Sequence, residues 1–256
     1  MALRVDWTEE QTKRALYLYF QLPFGQIDQR NSEIIALAAA LGRTPSSVAM
    51  KLANFASLDP QITRTGRKGL SGASALDRET WSQFQADWTK LVVEVGSIEG
   101  GELPTAGGAR EMRMPFREEA PGSPTTRQTE VAQRIGQDFF RRAVLANFNN
   151  ACCVTGIAES KLLMASHISP WSSDVENRHN PKNGLCLSAT FDRAFDRCLM
   201  TITPDLRMRL SNRLLRHDSP ETRDFFAPYQ GQSLRNPTHL MPDLALLAAH
   251  NERFIV

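Results

Sequence analysis

The chain has 256 residues, of which 41% are hydrophobic and 23% are charged, and its formal net charge is +2. This length accommodates one large domain or two small ones, and the composition is that of an ordinary globular protein. No segment reaches the roughly 18 apolar residues of a transmembrane helix, and the N-terminal "MALRVDWTEEQTK" has acidic residues where a secretion signal has an apolar core. We therefore expect a cytoplasmic protein with no membrane partner. A net charge this small does not indicate a nucleic-acid partner, so only the local distribution of charge can do so.

Composition divides the chain into three parts. Residues 96–127, "GSIEGGELPTAGGAREMRMPFREEAPGSPTTR", are rich in Gly, Pro, Ser and Thr and lack apolar periodicity. Such a composition is typical of a flexible linker. Because apolar segments lie on both sides, we predict a helical domain over residues 1–95, a linker over 96–127 and a second domain over 128–256.

Capping signals and apolar periodicity predict that the first domain is helical. "WTEEQTKRALYLYF" begins with Thr8 and has Gln11 three residues later, which is a capping-box start. "NSEIIALAAALG" stops at Gly42, a favourable residue after a helix end. Its apolar face is expected to contain Ile34, Ile35, Leu37, Ala38 and Leu41. "RTPSSVAMKLANF" then offers Thr44 as N-cap and Pro45 at the first helical position. The side chains expected to face inward from this helix are Val48, Leu52 and Phe55.

Two short helices joined by a tight turn with a glycine form a helix-turn-helix pattern. The stretch 43–68 has five basic residues and one acidic residue, whereas residues 1–42 have four basic and five acidic residues. The layout resembles Myb/SANT-like helix-turn-helix domains, with "WTEEQ" opening the first helix and "LGRTPSSVAMKL" entering the third. This resemblance implies that the third helix contacts DNA, and its exposed face is expected to carry Ser46, Ser47, Met50, Lys51 and Asn54. The DNA contacts predicted among them are Ser47, Lys51 and Asn54. The alternative is a plain helical bundle that docks on the second domain or on a partner.

The second domain combines helix and strand signals. "VAQRIGQDFFRRAVLANFN" predicts an amphipathic helix, and "PDLALLAAHNERF" predicts another at the C-terminus. "CCVTG" and "KLLMASHI", joined by the polar "IAES", predict one hairpin, and "LMTITPDLRMRLS" predicts a second hairpin. No two cysteines form a C-x-x-C pair, so we expect no zinc site and assign the cysteines to the core. These cysteines are Cys152, Cys153, Cys186 and Cys198.

The segment "SATFDRAFDRCL" is helical by its period and carries three rows of side chains at i, i+4 spacing. The rows are Phe191, Phe195 and Leu199, then Asp192 and Asp196, then Arg193 and Arg197. Two carboxylates at the edge of a buried stripe, beside two guanidinium groups, suit a Mg²⁺-type cation held against a phosphate. The alternative is a solvated helix face with Asp–Arg pairs.

Five segments resemble, in order, a bacterial subfamily of the HNH (ββα-metal) endonucleases. The family pattern "FFRxxVL", "C-x-V-T-G", "ASHI-x-P-W", "NPxNGLCL" and "FDRGL" reads here "FFRRAVL", "CCVTG", "ASHISPW", "NPKNGLCL" and "FDRCL", over roughly residues 134–211. His167, Asn183 and Asp192 stand in the order and spacing of that family. The resemblance implies a hairpin that presents the histidine, a turn that carries the asparagine and a helix that supplies metal ligands. We therefore predict an α+β chain with an N-terminal helix-turn-helix-like domain and a C-terminal ββα-metal nuclease domain.

The resemblance also implies roles for individual residues. Neutral His167 would take a proton from the water that attacks phosphorus, and the side-chain or backbone carbonyl of Asn183 would fix its ring. Asp192 and Asp196 would hold Mg²⁺ or Mn²⁺. Ser166, a weaker ligand, occupies a position where many members have an acidic or histidine ligand. The DNA contacts expected in this domain are Arg178, Arg193 and Arg197.

The function predicted from the sequence is a DNA endonuclease of the restriction or defence type that acts on double-stranded DNA. Whether base modification is required or blocks cleavage stays open. One alternative is a homing or phage-type nicking enzyme with the same chemistry, and another is a catalytically silent DNA-binding regulator that keeps the fold. Cleavage of both strands with one site per chain favours a homodimer.

Overall fold

The computed structural model describes residues 6–64, 66, 72–99 and 124–256. Helices make up the regular structure up to residue 147, and two short hairpins follow among further helices. The first part contains α1 (Glu9–Gln21), α2 (Ser32–Ala40), α3 (Pro45–Leu58), α4 (Pro60–Arg64), α5 (Ala75–Ala86), α6 (Trp88–Glu99) and α7 (Pro124–Asn147). The second part contains β1 (Leu163–His167), β2 (Gly184–Ser188), α8 (Ala189–Asp196), β3 (Met200–Ile202), β4 (Met208–Leu210), α9 (Asn212–Leu215), α10 (Pro220–Phe226) and α11 (Leu244–Glu252). Within these described ranges, no helix has the length and apolar character needed to cross a membrane.

The predicted starts and stops of the first helices are confirmed. Thr8 and Gln11 form the capping box of α1, and Thr44 caps α3 with Pro45 in its first turn. Gly42 ends the α2 segment with a φ of +62°, a left-handed conformation that glycine adopts without steric cost. The apolar face predicted for α2 is wrong at one position, because Ile35 is 45% exposed.

The first helices enclose a core of their own. α2 packs on α3, α1 packs on α3, and α5 and α6 pack against α1. The three side chains predicted to face inward from α3 are fully buried: Val48, Leu52 and Phe55. The turn between α2 and α3 is the one that the helix-turn-helix pattern predicts, but packing of this kind does not distinguish a DNA-reading domain from a helical bundle.

Helix occupies both ends of the segment predicted as a linker. α6 continues to Glu99 and α7 begins at Pro124. The prediction of a linker is therefore wrong for residues 96–99 and 124–127. The middle of that prediction, residues 100–123, lies outside the described residues.

The long helix α7 contributes to two cores. Phe139 and Ala143 are buried in the core of the first helices, where the Phe139 ring stacks on Tyr17 with 4.7 Å between centroids. Phe140 and Val144 are buried in the core of the second part. Because side chains of consecutive residues leave a helix about 100° apart, neighbouring positions of α7 serve opposite sides.

One of the two predicted hairpins is wrong. β1 pairs with β2 in antiparallel register, from Leu163 opposite Ser188 to His167 opposite Gly184, across the loop 168–183. The segment "CCVTG" is not its partner, because it closes a turn in which Gly156 has a φ of +77°. The second hairpin is confirmed: β3 pairs with β4 around the turn that contains Pro204 and Asp205. Three of the four cysteines are buried in the core as expected, whereas Cys198 is only partly buried, and all four are free thiols.

α8 follows β2 without a loop and packs against both β1 and β2. It ends at Asp196, earlier than predicted, because Cys198 adopts a φ of +55° and Leu199 lies beyond the helix. α11 contacts α8 through His250. The imidazole of His250 lies flat on the Phe195 ring at 3.8 Å and contacts the Phe195 carbonyl at 3.1 Å and Thr201 Oγ1 at 2.8 Å.

The burial of His250 predicts a loss of stability in acid. Burial lowers its pKa to about 4, while its ordinary value is 6.5. As the pH falls below 6.5 the unfolded chain binds a proton that the folded chain does not, so the free energy of unfolding decreases until about pH 4. The expected loss is roughly 3 kcal/mol, at about 1.4 kcal/mol per pKa unit.

Urea unfolding at a series of pH values measures this effect. His250→Gln should have a shallower dependence on pH than the wild type, whereas His217→Gln, in an exposed loop, should follow the wild type. Equal slopes for the wild type and His250→Gln between pH 6.5 and 4 would contradict the assignment.

Candidate functional site

His167 ends β1 on the side of the hairpin that faces α7. Opposite it in register stands Gly184, at a point where α7 comes close: a Cβ on Gly184 would overlap the Val144 side chain. The His167 ring stacks on Phe140, with 3.7 Å between centroids and 8° between planes. The hairpin and α7 together therefore fix the plane of this imidazole.

One hydrogen bond determines which nitrogen of His167 carries the proton. Nε2 lies 3.1 Å from the backbone carbonyl oxygen of Arg178. A carbonyl oxygen can only accept, so Nε2 donates and Nδ1 is the basic nitrogen of the neutral ring. Burial lowers the pKa of His167, and the Arg178 carbonyl opposes that shift. The ring is therefore neutral at neutral pH, the state that a general base requires.

The prediction that a carbonyl of Asn183 contacts that ring directly is wrong. Its backbone carbonyl accepts from the Ile168 N–H at 2.9 Å, and its side-chain Oδ1 accepts from the Ser169 N–H at 2.7 Å. Its Nδ2 donates to the carbonyls of Ser169 and Asn177. Fully buried, Asn183 thus holds the two ends of the loop 168–183 together, and the loop in turn supplies the Arg178 carbonyl to His167.

Ser166 and the two aspartates of α8 form the candidate metal site. The hydroxyl of Ser166 is buried and has no hydrogen-bond partner in the part of the chain that the structure describes. It lies close enough to Asp192 to lower the pKa of that carboxyl, although the geometry falls outside a hydrogen bond. Burial, and then the neighbouring Asp196, raise the pKa of Asp192. Desolvation also raises the pKa of Asp196, while Arg193 and Arg197 lower it.

This donor set fits a hard divalent cation. Burial raises the pKa of both carboxyls in spite of the nearby arginines, and the buried Ser166 hydroxyl has no partner among the described residues, so a bound cation would stabilise the charged carboxylates further. Mg²⁺ commonly uses one or two carboxylates and keeps water and phosphate oxygens as its other ligands. Among the residues described, no group of three His, Cys, Asp or Glu side chains could hold a metal ion, so protein ligands alone would not complete the shell.

The arginines predicted to contact DNA differ in their availability. Arg193 and Arg197 are exposed beside the two carboxylates, and no hydrogen bond or ion pair of their side chains is found within the described residues. Arg178 is different: its Nε donates to the Trp171 carbonyl at 2.7 Å and its guanidinium lies over the Trp171 ring at 5.2 Å. Part of the Arg178 side chain is therefore used inside the loop.

The expectation that Lys51 lies on an exposed face of α3 is wrong. Lys51 is 5% exposed, its ammonium is 2.5 Å from the Asp77 carboxylate of α5, and it lies over the Trp7 ring. Ser47 and Asn54 are half-buried on α3. No local pattern of residues indicates the Lys51–Asp77 pair, because the two residues belong to different helices.

The sequence did not predict three contacts of His167. They are the stack on Phe140, the hydrogen bond to the Arg178 carbonyl and the contact with the edge of the Trp171 ring. The centroids of the Trp171 and His167 rings are 5.5 Å apart. Both aromatic residues lie in motif segments, "FFRRAVL" and "ASHISPW". The presence of an aromatic residue in a motif therefore could have indicated the contacts with Phe140 and Trp171. No sequence signal marks a backbone carbonyl.

A hairpin that presents a neutral histidine, followed by a helix with two carboxylates, defines a ββα arrangement suited to phosphodiester hydrolysis. Residues 152–203 match the family model described as HNH endonuclease. This match covers about a fifth of the chain, supports the HNH family for this segment, and indicates a nuclease that hydrolyses phosphodiester bonds of DNA. HNH nucleases generally use a divalent metal ion. Among curated proteins, none matches this chain.

The buried ion pair yields a prediction about stability. Lys51→Ala leaves Asp77 buried without its counter-charge, so the free energy of unfolding should fall by about 3–5 kcal/mol. Lys90→Ala is the matched control, because the Lys90 side chain is 53% exposed and its pair with Glu94 spans 3.9 Å, and its loss should cost less than about 1 kcal/mol. Chemical denaturation measures both. Equal, small losses of unfolding free energy in the two variants would instead favour the sequence-based prediction that Lys51 lies on an exposed DNA-binding face.

Proposed function

We propose that this chain is a divalent-metal-dependent DNA endonuclease with His167 as general base, and that it acts in restriction or defence. The observation that carries the proposal is the hydrogen-bonded state of His167: Nε2 faces the Arg178 carbonyl, so Nδ1 is left to accept a proton. The match of residues 152–203 to the HNH endonuclease model supports the reaction class. The defence role rests on the five motif segments that resemble a bacterial restriction-type subfamily.

In the proposed reaction, the site transfers one proton and exchanges one bond at phosphorus. A water oxygen forms a bond to phosphorus, His167 Nδ1 takes one water proton, and the bond from phosphorus to the 3′-oxygen breaks; the 3′-oxygen leaves as an alkoxide and takes a proton from a solvent water. The stacked Phe140 and the Arg178 carbonyl keep the ring from turning, so the basic nitrogen stays in one place. Asn183 acts indirectly, as a positioning residue that holds the loop.

Asp192, Asp196 and the Ser166 hydroxyl would hold the metal ion. When bound, Mg²⁺ or Mn²⁺ supplies Lewis-acid stabilisation of the charge on the phosphate and on the leaving oxygen. The exposed guanidinium groups of Arg193 and Arg197 are placed to contact neighbouring phosphates, since guanidinium is suited to bidentate phosphate contacts.

A second candidate function, a catalytically silent DNA-binding regulator, is favoured by one observation: within the described residues no third His, Cys, Asp or Glu joins the two carboxylates. Incubating the full chain with supercoiled plasmid and Mg²⁺, Mn²⁺ or EDTA separates the two functions. The proposed enzyme converts the plasmid with a metal ion and not with EDTA, whereas the regulator shifts its mobility without cutting. The ratio of nicked to linear product also distinguishes nicking from double-strand cleavage, and parallel digestion of modified and unmodified DNA tests the defence role.

His167→Ala should abolish plasmid cleavage while folding is retained. Loss of a general base commonly costs about 10²–10⁴ in rate. The control is His217→Ala, because His217 lies in an exposed loop, and this variant should cut at the wild-type rate. Cleavage by His167→Ala within a few-fold of the wild type would refute the assignment of the base.

Asp192→Ala should remove activity or raise the Mg²⁺ concentration required for half-maximal cleavage by at least about tenfold, since a metal site with so few protein ligands depends on each of them. Asp196→Ala should have a smaller effect because Asp196 is more exposed. Asp205→Ala, in the exposed β3–β4 turn, should leave the Mg²⁺ titration unchanged. If all three variants titrate alike, the carboxylates of α8 do not bind the metal.

A further inference from the structure

The loop 168–183 determines the state of His167, and the N-terminal helices contact that loop. On α6, Thr89 Oγ1 lies 3.2 Å from His179 Nδ1. Thr89 and His179 are 90 residues apart in the chain. The contact therefore connects the first helical core directly to the loop that supplies the Arg178 carbonyl.

From His179 the contacts continue to the base. The His179 ring meets the Trp171 ring edge to face at 5.4 Å, and Trp171 meets His167 edge to face at 5.5 Å. The Trp171 carbonyl also accepts from Arg178 Nε at 2.7 Å. Displacing His179 thus acts on both neighbours of His167 in the loop, the Trp171 ring and the Arg178 carbonyl.

Gly136 on α7 makes room for His179. A Cβ at position 136 would overlap His179 Nε2, an atom that is buried and without a hydrogen-bond partner within the described part of the chain. The φ of Gly136 is not in the left-handed region, so the absence of a side chain matters here only for the space it leaves. In the interior of a helix, glycine generally lowers the stability by about 1 kcal/mol relative to alanine.

We propose that His179, held between Thr89 of α6 and Gly136 of α7, is a positioning residue through which the N-terminal helices set the orientation of His167. The inference rests on the proposed nuclease function and deepens it, because it makes the first helical core a part of the catalytic machinery. A residue that only completes the loop would affect stability but not the proton position on His167 or the chemical step.

The main test is Gly136→Ala in the full chain. The added methyl group displaces His179 from Thr89, while alanine favours the helical conformation of α7, so the fold should be retained. We expect kcat for plasmid cleavage to fall about 10- to 100-fold, since a displacement of about 1 Å at a catalytic group can cost 10²-fold, with KM for DNA unchanged. Gly25→Ala is the matched control, because nothing lies within 4 Å of a Cβ at that position.

Nitrogen-15 NMR of the imidazoles provides a readout that does not require activity. Metal-free wild-type protein at neutral pH should show His167 with the proton on Nε2, and in Gly136→Ala the shifts of its two nitrogens should move toward each other as the Arg178 contact weakens. Thr89→Val should produce the same change in the shifts to a smaller extent. Thr89→Ser, which keeps the hydroxyl, should have the wild-type spectrum and cleavage rate. Thr63→Val, which removes a hydroxyl that donates, among the described residues, to backbone carbonyls at the start of its own helix, should have neither effect.

A double variant tests whether the effect of Gly136→Ala arises from the displacement of His179 rather than from a steric clash elsewhere. In the His179→Ala background the space is open, so Gly136→Ala should add no further loss of kcat. The proposal is overturned if Gly136→Ala and Thr89→Val keep the wild-type His167 shifts and kcat within about twofold. If the wild type cuts no DNA with any of the metal ions, the proposed nuclease function is wrong. The nitrogen-15 shifts of His167 then still show whether His179 positions that ring.

Discussion

The helix α7 is the constraint on which the rest of the structure depends. Its neighbouring residues Phe139 and Phe140 are buried in two different cores, the first against Tyr17 and the second against His167. A rigid helix that serves both sides fixes the two parts of the chain relative to each other. The ion pair between Arg142 of α7 and Glu33 of α2 adds a polar contact to the first side.

The C-terminal segment reinforces this arrangement. The end of α7 binds it, because Asn147 Oδ1 accepts from the backbone N–H groups of His239 and Leu240. His239 is fully buried among the first helices, with Nδ1 3.2 Å from the Asp59 carboxylate and Nε2 2.9 Å from the Leu22 carbonyl. Such a buried polar cluster is costly unless every member is paired, so it holds residue 239 in one position. The chain thus returns from the second core to the first.

These contacts explain how a small hairpin can hold the proposed general base. A two-stranded hairpin is only marginally stable by itself. Here β1 and β2 lie between α7 and α8, and glycine at position 184 lets α7 approach closely. The stacked Phe140 and the carbonyl of Arg178 then leave His167 one orientation and one basic nitrogen.

Local signals in the sequence predicted much of this. The capping box at Thr8, the stop at Gly42 and the second hairpin depend on residues close in the chain, and all three are confirmed. The motif segments located His167 and the α8 carboxylates, and the family match supports the nuclease domain that they implied. The errors at two predicted site residues concern long-range contacts. Lys51 meets Asp77 of another helix, and Asn183 bonds to the loop rather than to the imidazole, neither of which periodicity can reveal.

We infer that α7 makes the first helices and the β1–β2 hairpin one cooperative unit. Native-state amide hydrogen exchange of the full chain, followed at increasing urea in α3 and in β2, tests this claim most directly. The account predicts that protection in both elements converges to the same free energy of opening and disappears at the same urea concentration. Loss of protection in α3 at a urea concentration where β2 remains fully protected would contradict it.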